Sequence, residues 1–177
     1  MFLDLCTKHL GGIMNLCLIV LLVLAGCTAG PFDPAPKQNQ PVELIMNNSA
    51  NATQTFEIWV VKAGSNVTVR YNDSRTANAT VGEGLRTFSS AEYYYTAVEP
   101  PDSAELHGRF RVGPGKENRS SIEKFRQDSA VLVVLYQDGK IGWYAIAHCS
   151  DGALVGVNVK TRPSQTGGDA GAGYGCR

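Results

Sequence analysis

The segment that most constrains the fold is residues 130–136, AVLVVLY, in which every side chain is apolar or aromatic. A short apolar run that ends at a turn is typical of a strand buried on both faces. Asp138 and Gly139 follow the run, and this pair favours the positive φ angles of a tight hairpin turn. Residues 141–147 continue with apolar side chains on the returning strand. The chain is therefore predicted to contain a central β-hairpin whose first strand is covered on both sides.

Other strand signals occur on both sides of this hairpin. Residues 55–62 and 66–71 alternate apolar and polar side chains, and residues 63–65 form a link of hairpin length between them. A short helix is allowed only at residues 120–126. Seven or eight short strands without a long helix predict an all-β fold, an antiparallel β-sandwich of immunoglobulin-like type. The remaining strands are predicted at residues 84–88, 93–98, 106–112 and 155–159.

A second apolar run lies near the N-terminus, at residues 16–27, LCLIVLLVLAGC. Its core of about a dozen residues is shorter than the ~20 that a membrane-spanning helix needs, and it fits the hydrophobic region of a signal peptide. The run ends in Leu24-Ala25-Gly26-Cys27, which resembles the lipobox of secreted lipoproteins. The resemblance implies that the chain is cut after residue 26 and that the Cys27 sulfur carries a lipid. The alternative is a buried hydrophobic helix that ends in these residues.

The boundaries of the mature chain follow from that cut. Removing residues 1–26 from 177 leaves 151, enough for one domain. The prolines of residues 27–41 predict a semi-extended, lipid-anchored tether. Residues 42–163 form the predicted β-sandwich domain, and residues 164–177 form a glycine-rich tail.

The charge of the mature chain is balanced. The full chain has 16 basic and 16 acidic residues, and the signal peptide takes away Lys8 and Asp4, so 15 of each sign remain. A net charge of zero gives no support for nucleic-acid binding.

The cysteines predict one disulfide. Cys6 and Cys17 fall in the signal peptide and Cys27 is the lipidation candidate, which leaves Cys149 and Cys176. Two remaining cysteines in an exported chain favour a bridge between them, which would hold the glycine-rich tail. The alternative is two free thiols, one at a strand end and one in a loose tail.

Asn-X-Ser/Thr triplets are more frequent than the roughly one that composition predicts, which makes them candidate glycosylation sites. Asn66 is predicted on the polar side of its strand, as a glycan carrier must be. Asn72, Asn78 and Asn118 are predicted in loops. The alternative is that Asn and Thr are simply common in turns and polar strand faces. The candidates are Asn47, Asn51, Asn66, Asn72, Asn78 and Asn118.

Candidate chemistry is sparse. A β-sandwich with His107, His148 and Cys149 suggests a copper site of the cupredoxin kind, which needs a thiolate and usually a weak axial Met. No His or Met follows Cys149 within a loop's length, so His148 is predicted to be a strand-end residue and Cys149 a disulfide partner. Glu99 and Asp102 can be nominated as an acid-base pair, but nothing in the sequence fixes their separation, so they are predicted to be solvated loop charges. No catalytic residue, cofactor or metal site is predicted.

Three consecutive tyrosines, Tyr93, Tyr94 and Tyr95, form a candidate contact patch, because exposed rings stack well on sugars or on a partner protein. The alternative is a half-buried strand with the tyrosine hydroxyls at its rim.

Taken together, the lipobox signal, the tether, the triplets and the β domain resemble small cell-surface lipoproteins of archaea, in particular of haloarchaea. The resemblance implies a lipid-anchored protein on the extracytoplasmic face of the cell membrane. The expected function is a non-catalytic binding or envelope-structural module, with the membrane and a cell-surface protein or glycan as partners. An enzyme with a site on its loops is the first alternative, and a metal or redox protein is the second.

Overall fold

The computed structural model describes residues 40–82, 84–89, 95–163 and 169–177, and for residues 84–89 it describes the backbone alone. The predicted signal peptide, Cys27 and all but the end of the predicted tether lie outside these residues. None of the described residues forms a helix that is long and apolar enough to cross a bilayer.

Twelve strands account for most of the described residues. They are β1 (Gln40–Asn48), β2 (Gln54–Lys62), β3 (Asn66–Tyr71), β4 (Thr76–Thr80), β5 (Gly84–Ser89), β6 (Tyr95–Glu99), β7 (Glu105–Val112), β8 (Lys116–Phe125), β9 (Ser129–Gln137), β10 (Lys140–His148), β11 (Leu154–Thr161) and β12 (Ala170–Cys176).

The strands form two sheets. The smaller sheet has the order β12-β11-β1-β8, and β1 runs parallel to β11. The larger sheet has eight strands in the order β4-β3-β6-β10-β9-β2-β7, with β5 paired to β10 outside this path. The predicted all-β sandwich, built mostly of antiparallel pairs, is confirmed, with more strands than the seven or eight expected. The additional strands include β1 and β12, and the glycine-rich composition of β12 masks the pattern of a strand.

Two hydrophobic cores share strand β9. Val131, Val133 and Leu135 point into the first core, where they pack with side chains of β1, β2 and β11. Leu132 and Val134 point into the second core. Successive side chains of a strand face opposite sides, so a strand between two cores is apolar at every position. The prediction of a central strand buried on both faces is confirmed.

The second core shows that the larger sheet bends over itself. This core joins Val67 of β3 and Val98 of β6 to Leu132 of β9, although all three strands belong to one sheet. Side chains stand perpendicular to their sheet, so they meet face to face only where the sheet turns back. Strands β3, β4 and β6 therefore form a flap over the outer face of β9 and β10.

The link at residues 63–65 leads into this flap and does not close a hairpin. Strand β2 pairs with β7 and β9, whereas β3 pairs with β4 and β6. Ala63 donates its N–H to the carbonyl of Asp128, and Gly64, with a φ of 80°, donates to the carbonyl of Val81. The hairpin expected from the link's length is wrong, because the bend of the sheet carries β3 away from β2.

Residues 120–126, allowed as a short helix from the sequence, lie almost entirely in strand β8. Strand β8 pairs along its length with β1, from Asn48 opposite Lys116 to Gln40 opposite Phe125. Ile122 and Phe125 are buried in the first core. Long-range pairing and burial outweigh the local preference, which is why the helix expectation is wrong.

The glycine-rich tail contributes a strand of its own. Strand β12 pairs antiparallel with β11 at the edge of the smaller sheet, and Ala170 and Ala172 pack against the first core. The β-sandwich therefore extends beyond residue 163, the boundary expected from composition. Glycine disfavours a strand through its backbone entropy, so β12 depends on its partner strand and on its covalent attachment.

Candidate functional site

An open cleft lies where the flap separates from the hairpin of β9 and β10. Strands β6 and β10 pair at a single position, Tyr95 opposite Ile141, and beyond it they diverge. The resulting cleft has a volume of about 530 Å³. It is lined by Asn72, Tyr95, Thr96, Ala97, Val98, Tyr136, Gly139, Lys140 and Ile141.

The inner wall of the cleft is an ordered tyrosine cluster. Tyr95 is 8% exposed, and its ring packs edge-on against Tyr144 at 5.3 Å and tilted against Tyr71 at 5.5 Å between ring centroids. Burial raises the pKa of Tyr95 and of Tyr144, so both phenols stay neutral at pH values where an exposed tyrosine begins to ionise. Aromatic pairs at these separations are favourable, so the rings pack together and form a preformed wall.

Tyr136 forms the opposite wall and is held from behind by a buried carboxylate. Burial, followed by the negative charge of Glu57, raises the pKa of Tyr136. Glu57 is only 6% exposed. Its carboxylate accepts a hydrogen bond from Trp59 Nε1 at 2.8 Å and from Arg109 Nε at 3.0 Å. Because Glu57 has these partners, its burial beside Tyr136 is tolerated.

The rim of the cleft is polar. Asn72 lies in the exposed turn after β3, Thr96 is exposed on β6, and Lys140 is exposed at the start of β10. None of the described residues that line the cleft carries a carboxylate, an imidazole or a thiol. The arrangement offers aromatic and aliphatic walls for an apolar face, with amide, hydroxyl and ammonium groups at the mouth.

The predicted disulfide is present. Cys149 and Cys176 are bonded, with their Cα atoms 6.0 Å apart, and they join the end of β10 to the end of β12. The bridge thus links the larger sheet to the smaller one. It ties down the end of the glycine-rich strand, next to the backbone hydrogen bonds between Ala153 and Arg177.

The histidines do not come together with a free thiol. His148 ends β10, is buried, and places Nδ1 3.0 Å from the carbonyl of Ser129. His107 on β7 places Nε2 3.3 Å from the Ser120 hydroxyl. The sulfur of Cys149 is bonded to Cys176, so it is not a thiolate ligand. In the part of the chain that the structure describes, no three His, Cys, Asp or Glu side chains cluster as metal ligands.

The glycosylation candidates differ in exposure. Asn51, Asn66, Asn72 and Asn78 are exposed, whereas Asn47 and Asn118 are half-buried. Asn66 lies on the polar face of β3 and Asn72 in a turn, as expected. Asn78 and Asn118 lie in strands β4 and β8, so their placement in loops is wrong.

Two of the triplets pair with each other across β3 and β4. The Thr80 hydroxyl donates to Asn66 Oδ1 at 2.9 Å, and the Thr68 hydroxyl donates to Asn78 Oδ1 at 3.2 Å. Each triplet thus supplies the hydroxyl that binds the other triplet's asparagine. Cross-strand pairs of this kind stabilise an exposed antiparallel ladder.

The structure describes one tyrosine of the predicted contact patch and both of the carboxyl groups nominated above. Tyr93 and Tyr94 lie outside the described residues, and Tyr95 is not exposed on a flat patch but forms the wall of the cleft. Glu99 forms an ion pair with Arg70 at 2.8 Å, and Asp102 is an exposed turn residue. Nothing joins these two carboxyl groups in a reactive pair.

The cleft was not evident from the sequence. One of its supporting residues, Glu57, could have been noticed, since it is a charged residue among the apolar side chains of the strand QTFEIWVVK. Such a residue requires a buried partner. Its partner Arg109 lies 52 residues further along the chain, so the pairing depends on the fold.

Comparison with known proteins gives no relative for this fold and cleft. No known protein family, no curated protein and no solved structure matches the chain.

Proposed function

We propose that the chain is a lipid-anchored lipoprotein on the extracytoplasmic face of the membrane, and that its β-sandwich binds a cell-surface glycan in the cleft between β6 and the β9–β10 hairpin. Sugars present apolar C–H faces and a rim of hydroxyl groups. The apolar faces suit the rings of Tyr95 and Tyr136. The hydroxyl groups suit the Asn72 amide and the Thr96 hydroxyl.

The observation that carries the binding proposal is the packing behind the two aromatic walls. Tyr95 is held by its tyrosine neighbours and Tyr136 by Glu57. A pre-formed wall loses little conformational entropy on binding, which favours recognition. The cleft residues include no pair of acid and base groups, so binding without chemistry is the better fit to this set of side chains.

The disulfide supports the extracytoplasmic location. Disulfides persist in oxidising compartments and are rare where thiols are kept reduced. The bridge between Cys149 and Cys176 suits a chain that is exported by a signal peptide and anchored through Cys27.

The binding proposal is tested by titrating the protein with a panel of neutral oligosaccharides, followed by the fluorescence of its tryptophans. Tyr136→Ala removes one wall and is expected to weaken binding at least tenfold. Tyr174→Ala is the matched control, since Tyr174 is 41% exposed on β12 and outside the cleft. Equal affinity of the two folded variants, or no binding by the native chain at millimolar sugar, would contradict the proposal.

The anchoring proposal has a separate test. Cys27→Ser is expected to move the protein from the membrane fraction to the soluble fraction and to abolish the mass of the lipid. Cys17→Ser, in the segment proposed to be removed, leaves both unchanged. If the native chain retains residue 1 and carries no lipid, the anchor is excluded while the binding test stands.

A further inference from the structure

The strands at the ends of the two sheets differ in how they are protected from pairing with another chain. Strand β7 carries Glu105, Arg109 and Arg111, and β8 is rich in Lys, Arg and Glu. Charges on an edge strand oppose pairing with a second chain. Strand β12 has glycine at alternate positions, which weakens any added pair. Strand β4, Thr76-Ala77-Asn78-Ala79-Thr80, has no charge, proline or glycine.

The backbone of β4 presents hydrogen-bonding groups to the open edge. Tyr71 donates its N–H to the carbonyl of Arg75, and Val81 donates to the carbonyl of Ser65. In an antiparallel ladder such bonded pairs alternate with pairs whose N–H and C=O groups point away from the partner strand. The register thus makes Ala77 and Ala79 bond to β3. The N–H and C=O groups of Thr76, Asn78 and Thr80 face outward.

The sequence of β4 is a palindrome, TANAT. If a second copy pairs antiparallel with Asn78 opposite its own equivalent, Thr76 lies opposite Thr80 and Ala77 lies opposite Ala79. All the outward-facing groups then meet one another, and about six backbone hydrogen bonds form. Such a strand is self-complementary, which is the condition for a twofold interface.

The side chains of β4 suit the same arrangement. Thr76, Asn78 and Thr80 lie on the exposed face, where Thr–Thr pairs across strands are favourable. Ala77 and Ala79 lie on the face of the second core and are small. At the end of the strand, Arg75 is ion-paired with Asp73 and would lie opposite the apolar Val81 of the second copy. Between residues 75 and 81, therefore, no like charges meet in this register.

From these observations we infer that β4 is a self-association surface, through which two copies of this chain join their larger sheets into one continuous antiparallel sheet. A strand this short buries little area, so the association is weak and depends on concentration.

The sharpest test is a symmetric cross-link in the full chain as the cell produces it. Asn78→Cys places two thiols opposite each other, at a Cα separation of about 5.5 Å in a hydrogen-bonded pair, which suits a disulfide. Mild oxidation is expected to give a covalent dimer whose linked peptide joins residue 78 to residue 78. Asn66→Cys is the control, since Asn66 is exposed on the same face but one strand inward. A folded Asn78→Cys chain that stays monomeric, or equal cross-linking of the control, overturns the inference.

A second pair of variants measures the equilibrium. Asn78→Lys sets two ammonium groups against each other at the centre of the interface, and sedimentation of the full chain is expected to show dimerisation weakened at least tenfold. Asn66→Lys adds the same charge, removes a glycosylation triplet and loses one threonine hydrogen bond, just as Asn78→Lys does. It is expected to dimerise within twofold of the native chain. If the native chain stays monomeric up to millimolar concentration, the inference fails.

Discussion

The two cores of this protein differ in what surrounds them. The first core lies between the two sheets and is filled by aliphatic side chains with Phe56, Phe125 and Trp143, and the described residues buried in it include no tyrosine. The second core lies under the flap, contains Tyr95 and Tyr144, and opens into the cleft. A core that is closed all round stabilises the fold. A core with one open side, lined by amphipathic rings, also offers a binding wall.

The largest expected difference between the two cores is in the free energy of unfolding that is lost when matched leucines of β9 are replaced. Leu135 and Leu132 are both fully buried, but Leu135 lies in the first core and Leu132 in the second. Leu→Ala costs about 2–5 kcal/mol, and the cost is greater where the cavity cannot collapse. Leu135→Ala is expected near the upper end of this range and Leu132→Ala near the lower end. Urea denaturation measures both, and the reverse order would show that the flap is the more rigid region.

The next largest effect is expected from removal of the disulfide, which lies at the edge of the first core. Replacing Cys149 and Cys176 together by alanine is expected to lower the free energy of unfolding by about 3 kcal/mol, because the closed loop is released in the unfolded chain. Hydrogen exchange is expected to accelerate first in β12, whose glycines depend on the bridge. The amides of β3, in the flap, serve as the internal reference. Uniform acceleration in both would contradict a local role.

Alkaline pH is expected to destabilise the second core, with a smaller loss for each tyrosine and each pH unit than the loss of the disulfide. The fold raises the pKa of Tyr95, Tyr136 and Tyr144. At pH values below about 10, the pKa of tyrosine in the unfolded chain, these tyrosines are neutral in both states. Their contribution to stability is then fully present. As pH rises further, the unfolded chain ionises first and stability falls, by at most about 1.4 kcal/mol per pH unit for each tyrosine.

Variants identify which tyrosines cause this loss. Tyr144→Phe is expected to flatten the decline of the free energy of unfolding between pH 10 and the native pKa values. Tyr174→Phe, at an exposed tyrosine, leaves the decline unchanged. Stability that rises above pH 10 in the native chain would contradict the direction of these pKa shifts.

Much of the central hairpin could be predicted from local patterns. Residues 130–136 are apolar throughout, which a strand between two cores requires, and Asp138 adopts a φ of 50° beside Gly139 at 76°. The disulfide was predictable as well, because only Cys149 and Cys176 follow the proposed lipidation site at Cys27. The cleft was not, because it depends on where β6 leaves β10, and no local pattern encodes the point at which two strands diverge.

The sequence alone determined the class of structure and the strongest strand, since burial on two faces leaves only apolar side chains there. It also determined which cysteines were available for a bridge. The tertiary structure alone decided the bend of the larger sheet, the pairing of Glu57 with Arg109 and the exposed position of β4 at the edge. These features join residues far apart in the chain, and their energies arise only when packing brings the residues together.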